Sequence, residues 1–77
     1  MWVVSDEGNL VNLERFSRIQ IQGPAPDPDH DRFSLVAYAE GLAFPLAGGE
    51  KLEDVEALQE KIITSLNDQE PVCDLRA

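Results

Sequence analysis

The chain has 77 residues, 43% of them hydrophobic, which suffices for one small domain with a thin core and is too many for a disordered chain. Fifteen acidic residues against six basic ones give a net charge of −9, which argues against direct binding to nucleic acid or to an anionic membrane. The one cysteine, Cys73, permits no intrachain disulfide, and without a signal peptide or a long apolar run a cytoplasmic location is expected.

The first 22 residues favour strands. Residues 2–5, WVVS, are rich in β-branched side chains, and residues 6–9, DEGN, are typical of a tight turn into a second strand at 10–13. Residues 17–22 alternate, with Ile19 and Ile21 on one face, as in a half-buried strand. The pattern leaves open whether residues 10–22 form one bent strand or two.

Residues 23–32 are predicted to be a connecting loop, because three prolines remove backbone donors and restrict the residues before them. This loop also holds the only cluster with metal-ligand chemistry: Asp27, Asp29, His30 and Asp31. It begins like a calcium loop, but Arg32 stands where that motif needs glycine and Tyr38 where it needs glutamate. We therefore favour a connector over a metal site.

Two further strands and a helix are predicted in the second half. Residues 33–40, FSLVAYAE, alternate strongly, and residues 42–46 follow as an edge strand or a bulged one because Pro45 cannot donate to a ladder. Apolar residues then recur at helical spacing from residue 51 to 67, leaving 68–77 as a tail with a possible short strand. The whole chain reads as one α+β domain: an antiparallel meander of four to five strands with one C-terminal helix on one face.

No constellation in the sequence indicates catalysis. One histidine and one cysteine lie far apart, and Gly48–Gly49 before the helix lacks the lysine and hydroxyl pattern of a phosphate loop. We therefore predict a non-enzymatic protein with no catalytic residue and no cofactor, and a metal-dependent enzyme is the alternative.

Apolar side chains on both faces of the predicted sheet favour an interaction protein. One helix covers one face, so the other face needs a second cover. Either the C-terminal tail or a second copy of the chain could supply it, and we favour the second copy. The contact residues predicted from this argument are Trp2, Val36, Tyr38 and Phe44.

The helix also carries acidic residues outside its apolar stripe, namely Glu53, Asp54, Glu56, Glu60 and Asp68. Such residues usually form a solvated face. The alternative hypothesis is an acidic decoy that imitates nucleic acid and inhibits a basic protein that handles nucleic acid.

The stretch WVVSDEGNLVNLERFSRIQI resembles the opening of small, mostly uncharacterised bacterial proteins. Those proteins have a tryptophan-containing strand, a glycine turn, a VNL segment and an I-x-I strand, and they end in a helix. The resemblance implies the same layout and no active-site residue. The segment LVNLERFSRI is also similar to part of LytTR-type DNA-binding domains, but the acidic charge of this chain implies no DNA binding.

Overall fold

A computed structural model describes residues 1–25 and 32–76 of the chain. Its elements, in chain order, are β1 Trp2–Val4, β2 Leu10–Asn12, a 3₁₀ turn at Leu13–Arg15, β3 Arg18–Ala25, β4 Arg32–Ala39, β5 Leu42–Gly49, α1 Leu52–Asn67 and β6 Val72–Asp74.

The predicted α+β class is confirmed, but the predicted single meander is wrong. The described residues form six strands in two three-stranded sheets, ordered β2-β1-β6 and β3-β4-β5. The pair β1–β6 is parallel, while the other three pairs are antiparallel. The chain leaves the first sheet after β2 and returns to it only after the helix.

A 3₁₀ turn divides residues 10–22 into two strands that belong to different sheets. The side chain of Asn12 accepts a hydrogen bond from the Glu14 amide at 3.2 Å and so caps the turn at its start. This local bond competes with a continuous extended strand, so β2 ends at Asn12 and β3 begins only at Arg18.

The first sheet is short and has one buried row. Val3 on β1 lies between Val11 on β2 and Cys73 on β6, and all three side chains are buried. The turn between β1 and β2 is closed by buried Ser5, whose hydroxyl accepts from the Asn9 amide at 3.0 Å.

The second sheet supplies the other half of the core. Leu35 and Ala37 on the central strand β4 are fully buried. The register between β4 and β5 shifts between Leu35↔Ala47 and Val36↔Pro45, leaving Leu46 as an extra residue. This bulge bends β5 so that Leu46 and Ala47 are both buried.

The predicted bounds of the loop, residues 23–32, are wrong at both ends. Strand β3 continues to Ala25, which pairs with Arg32 at the start of β4. Pro24 is tolerated because the β3–β4 register shifts between Gln22 and Ala25, where a ladder bond is not required. The metal-ligand candidates Asp27, Asp29, His30 and Asp31 lie outside the described residues.

Helix α1 closes the core from one side. Val55 and Ile62 are buried and Leu58 packs against the same cluster, while the helix as a whole packs against β4, β5 and β6. Glu53 and Asp54 lie in the first turn, where carboxylates interact favourably with the helix dipole. The first α1 residue is Leu52 and the last is Asn67, against a predicted span of 51–67.

Candidate functional site

The four predicted contact residues lie on three separate surfaces. Trp2 is 43% exposed on the outer side of the first sheet, beside exposed Val72 on β6. Val36 and Tyr38 lie on the side of the second sheet opposite the helix, and Phe44 packs against the core from the helix side. The structure therefore does not bring the four together into one patch.

The outer side of the second sheet offers little free apolar surface. Val36 is only 7% exposed between its cross-strand neighbours Gln20 and Pro45. The guanidinium carbon of Arg18 lies 4.6 Å from the centre of the Tyr38 ring, a distance typical of a cation–π contact. This face is therefore a poorer partner surface than its sequence alternation indicates.

The Tyr38 hydroxyl is buried without a hydrogen-bond partner in the described part of the chain. An unpaired buried hydroxyl costs about 1–3 kcal/mol of desolvation. We expect Tyr38→Phe to leave the free energy of unfolding unchanged or to raise it by up to about 1 kcal/mol, because phenylalanine keeps the ring under Arg18. Urea unfolding measures this change, with Tyr38→Ala as the control that removes the ring. A Tyr38→Phe loss above about 1 kcal/mol would show that the hydroxyl has a partner.

An open apolar groove runs between the second half of α1 and the segment that enters β3. Its volume is about 330 Å³. Three polar residues, Ser17, Arg18 and Gln59, border it. Its apolar lining comprises Leu13, Phe16, Ile19, Ile62, Ile63 and Leu66. We call this feature the α1–β3 groove.

The groove exists because α1 is displaced from the centre of its sheet. The helix packs against β4 and β5 and much less against β3. Ile19 and Ile21 on the inner side of β3 are consequently only half-buried, although they point toward the core. On the helix, Ile63 and Leu66 are 43% and 51% exposed on the side that faces this gap.

Beside the groove, β3 presents the longest unobstructed edge in the described residues. Residues 18–22 pair in regular register with β4 and pair with no strand on their other side. The edge of β5 is interrupted by Pro45 and occupied by Asp6, whose amide donates to the Leu46 carbonyl and whose carboxylate accepts from the Gly48 amide. The outer edges of β2 and β6 are only three residues long.

A second groove of about 430 Å³ lies between β2 and the start of β5. Leu10 and Leu42 on its walls are strongly exposed, and Phe44 and Phe16 form its floor. It has no long strand edge beside it, since β2 has three residues.

The acidic helix residues remain in solvent. Glu53, Asp54, Glu56 and Glu60 are all exposed, as is Asp68, which follows the last residue of α1. Lys61 donates from its ammonium to the backbone carbonyl of Asp74 and so ties α1 to β6. The outward side of α1 is thus predominantly anionic.

Asp74 and Arg76 form a local clasp at the end of β6. The Arg76 Nε lies 3.0 and 3.2 Å from the two carboxylate oxygens of Asp74, and its second guanidinium nitrogen lies 2.7 Å from one of them. These side-chain bonds, followed by the bond from the Arg76 amide, lower the pKa of Asp74 from 3.8 to about 2.

Because of this clasp, we expect Asp74 to stabilise the folded chain in a way that depends on pH. Because its pKa is lower in the folded chain, the stabilisation is present above about pH 4 and is lost as the pH falls toward 2. We expect Asp74→Asn to lower the free energy of unfolding at pH 6 and to have little effect at pH 2. Urea unfolding at both pH values measures this, and an equal effect at both would contradict it. Arg76→Gln should reproduce the same pH dependence.

Cys73 is a free thiol that is 2% exposed, and no group of three His, Cys, Asp or Glu side chains among residues 1–25 and 32–76 is arranged to hold a metal ion. The described part of the chain has no helix with the length and apolar character needed to cross a membrane.

The α1–β3 groove was not predicted from the sequence, although one signal for it was present. Leu52, Ile63 and Leu66 lie on one side of the stripe centred on Val55 and Ile62, so the apolar arc is wider than one packing contact requires. Comparison with known protein families, curated proteins and solved structures finds no match for this chain.

Proposed function

We propose that this chain is a non-enzymatic protein-interaction domain that forms a homodimer through its sheet, at the free edge of β3. The observation that supports this most directly is the unobstructed edge of residues 18–22. Edge strands present unpaired backbone donors and acceptors and are natural templates for another strand.

An antiparallel pair of β3 strands centred on Gln20 would place Ile19 of one copy opposite Ile21 of the other. Both side chains are half-buried in the single chain and lie on the helix side of the sheet. Cross-strand pairs of β-branched residues contribute roughly 0.2–1 kcal/mol each. The pairing would therefore satisfy backbone groups and bury apolar area together.

Sedimentation and light scattering test the dimer. At high micromolar concentration we expect a mass twice the 8.5 kDa of the chain. Because each copy carries a charge of −9, association should strengthen as salt screens the repulsion. A mass of one chain at every salt concentration would contradict the proposal.

A pair of lysine substitutions locates the contact. Ile19→Lys places an inward-pointing charge on the edge strand, a device that prevents edge pairing, and should leave the chain monomeric. Leu42→Lys introduces the same charge at a residue that is 54% exposed on β5 and should dimerise as the unaltered chain does. Circular dichroism of both variants checks that each is folded, so that a monomeric Ile19→Lys variant can be attributed to the lost contact.

The anionic side of α1 favours a second candidate function, the acidic decoy. Glu53, Glu56 and Glu60 are exposed along one side of the helix, and Lys61 is held by Asp74. Such a decoy would bind a basic nucleic-acid-handling protein with an affinity that falls as salt rises. Binding that is unchanged between low and high salt would contradict it.

A further inference from the structure

Helix α1 carries a second apolar row beside its core row. Val55 and Ile62 of the core row are buried, whereas Leu52, Ile63 and Leu66 are 43–51% exposed. At about 100° per residue, the three lie on one side of the helix, and Ile63 and Leu66, three residues apart, line the groove. Side chains at a spacing of three residues form the kind of ridge against which a second helix packs.

In a single chain, the part of the second sheet that α1 leaves uncovered is too narrow to hold another helix. A helix is about 10 Å wide and strands are about 4.8 Å apart, so one helix covers roughly two strands. In this chain α1 covers β4 and β5 and leaves β3 largely uncovered. One uncovered strand is too narrow for another helix.

The homodimer proposed above changes this width, and the following inference rests on it. An antiparallel β3 pair has its twofold axis perpendicular to the sheet, so both α1 helices lie on the same face. The two uncovered β3 strands then lie side by side and form a trough about 10 Å wide between the helices. The trough has the width of one more helix.

The charges around the trough indicate which side chains a helix bound there would carry on its flanks. Glu56 and Glu60 lie beside Ile63 on the outward side of α1, and both copies contribute these exposed carboxylates. Glu14 borders the small cavity lined by Met1, Leu13 and Leu66, where its carboxylate lies 3.7 Å from the N-terminal ammonium of Met1. Arg18, which borders the groove, stacks on Tyr38.

We infer that the joined α1–β3 grooves of the dimer bind one amphipathic helix of another protein, with an apolar stripe toward the sheet and lysine or arginine along both flanks. The stoichiometry is one helix per two chains. Because the helix contacts both copies, its binding strengthens the dimer by mass action.

Calorimetry and light scattering with a synthetic probe test this inference. The probe is an 18-residue peptide of leucine and lysine with leucine at helical spacing of three and four. We expect binding at one peptide per two chains and a rise in the dimer fraction. A peptide of the same composition with scrambled order, and one with glutamate in place of lysine, should each bind at least tenfold more weakly.

Matched variants separate the groove from general charge attraction. Ile63→Ser combined with Leu66→Ser should weaken probe binding at least tenfold, and Leu42→Ser, at a similarly exposed leucine, should change it less than twofold. Equal binding of the scrambled peptide, retained binding by the groove variant, or a complex of one peptide with one chain would overturn the inference. A dimer that binds no probe overturns it and leaves the proposed dimer intact, while a chain that stays monomeric with and without probe overturns both.

Discussion

Leu35→Ala should lower the free energy of unfolding by about 2–5 kcal/mol. Leu35 is fully buried at the centre of β4, opposite Ala47 on one side and Ile21 on the other. The total stability of a domain this size is about 4–12 kcal/mol, so the substitution should remove a large part of it. Urea unfolding followed by circular dichroism measures the loss.

Leu10→Ala is the matched control for this prediction. It removes the same atoms from a leucine that is 61% exposed on β2, so its cost should be below about 0.5 kcal/mol. Similar losses for Leu35→Ala and Leu10→Ala would contradict the placement of the core between α1 and the two sheets.

Gly23→Ala should cost about 2–5 kcal/mol, because the site combines an unfavourable backbone conformation with a close approach to β4. The φ angle of Gly23 is +130°, and an added Cβ would lie 2.7 Å from the carbonyl oxygen of Arg32 and 3.1 Å from the Cα of Phe33. Both obstacles are backbone atoms, which cannot move aside as a flexible side chain can. Thermal and urea unfolding measure the cost.

Gly41→Ala separates the two causes. Gly41 also has a positive φ, +72°, but a Cβ there meets no atom within 4 Å. Its substitution should therefore cost only the conformational share, about 1–2 kcal/mol. Equal losses at Gly23 and Gly41 would show that the bulge in β3 can relax around the added methyl group.

The elements with strong periodicity were those that sequence could predict. Helix α1 and strand β4 each carry a long apolar pattern whose period matches one structure. The continuation of β3 past Pro24 was missed because proline argues against a strand wherever its register is unknown. A bulge at that position can be recognised only when the register with the partner strand β4 is known.

The division into two sheets could not be predicted from local pattern. Strand β6 is three residues long and lies 70 positions from β1, its partner. Pairings this distant are decided by what packs beneath them, here Val3 and Cys73 in one buried row. The tail therefore gave only a weak indication of a strand.

The exposure of residues at the candidate site could not be predicted from local pattern either. Alternation in β3 and β4 correctly separated Ile19 and Leu35 from Gln20 and Val36, but it did not indicate how exposed each side is. Ile19 is half-exposed because α1 lies over β4 and β5 instead of β3, whereas Val36, on the side away from the helix, is buried between its cross-strand neighbours Gln20 and Pro45. The lateral position of one helix thus decides which apolar residues on the helix side of the sheet are free for a partner.

The dimer that we propose joins two copies of the chain along β3. An isotope-filtered NMR experiment on a mixture of labelled and unlabelled chain reports only contacts between copies. We predict nuclear Overhauser effects between backbone protons of residues 18–22 in one copy and the same residues in the other. Contacts between copies that arise instead around Trp2 or Leu42, with none along residues 18–22, would contradict the account.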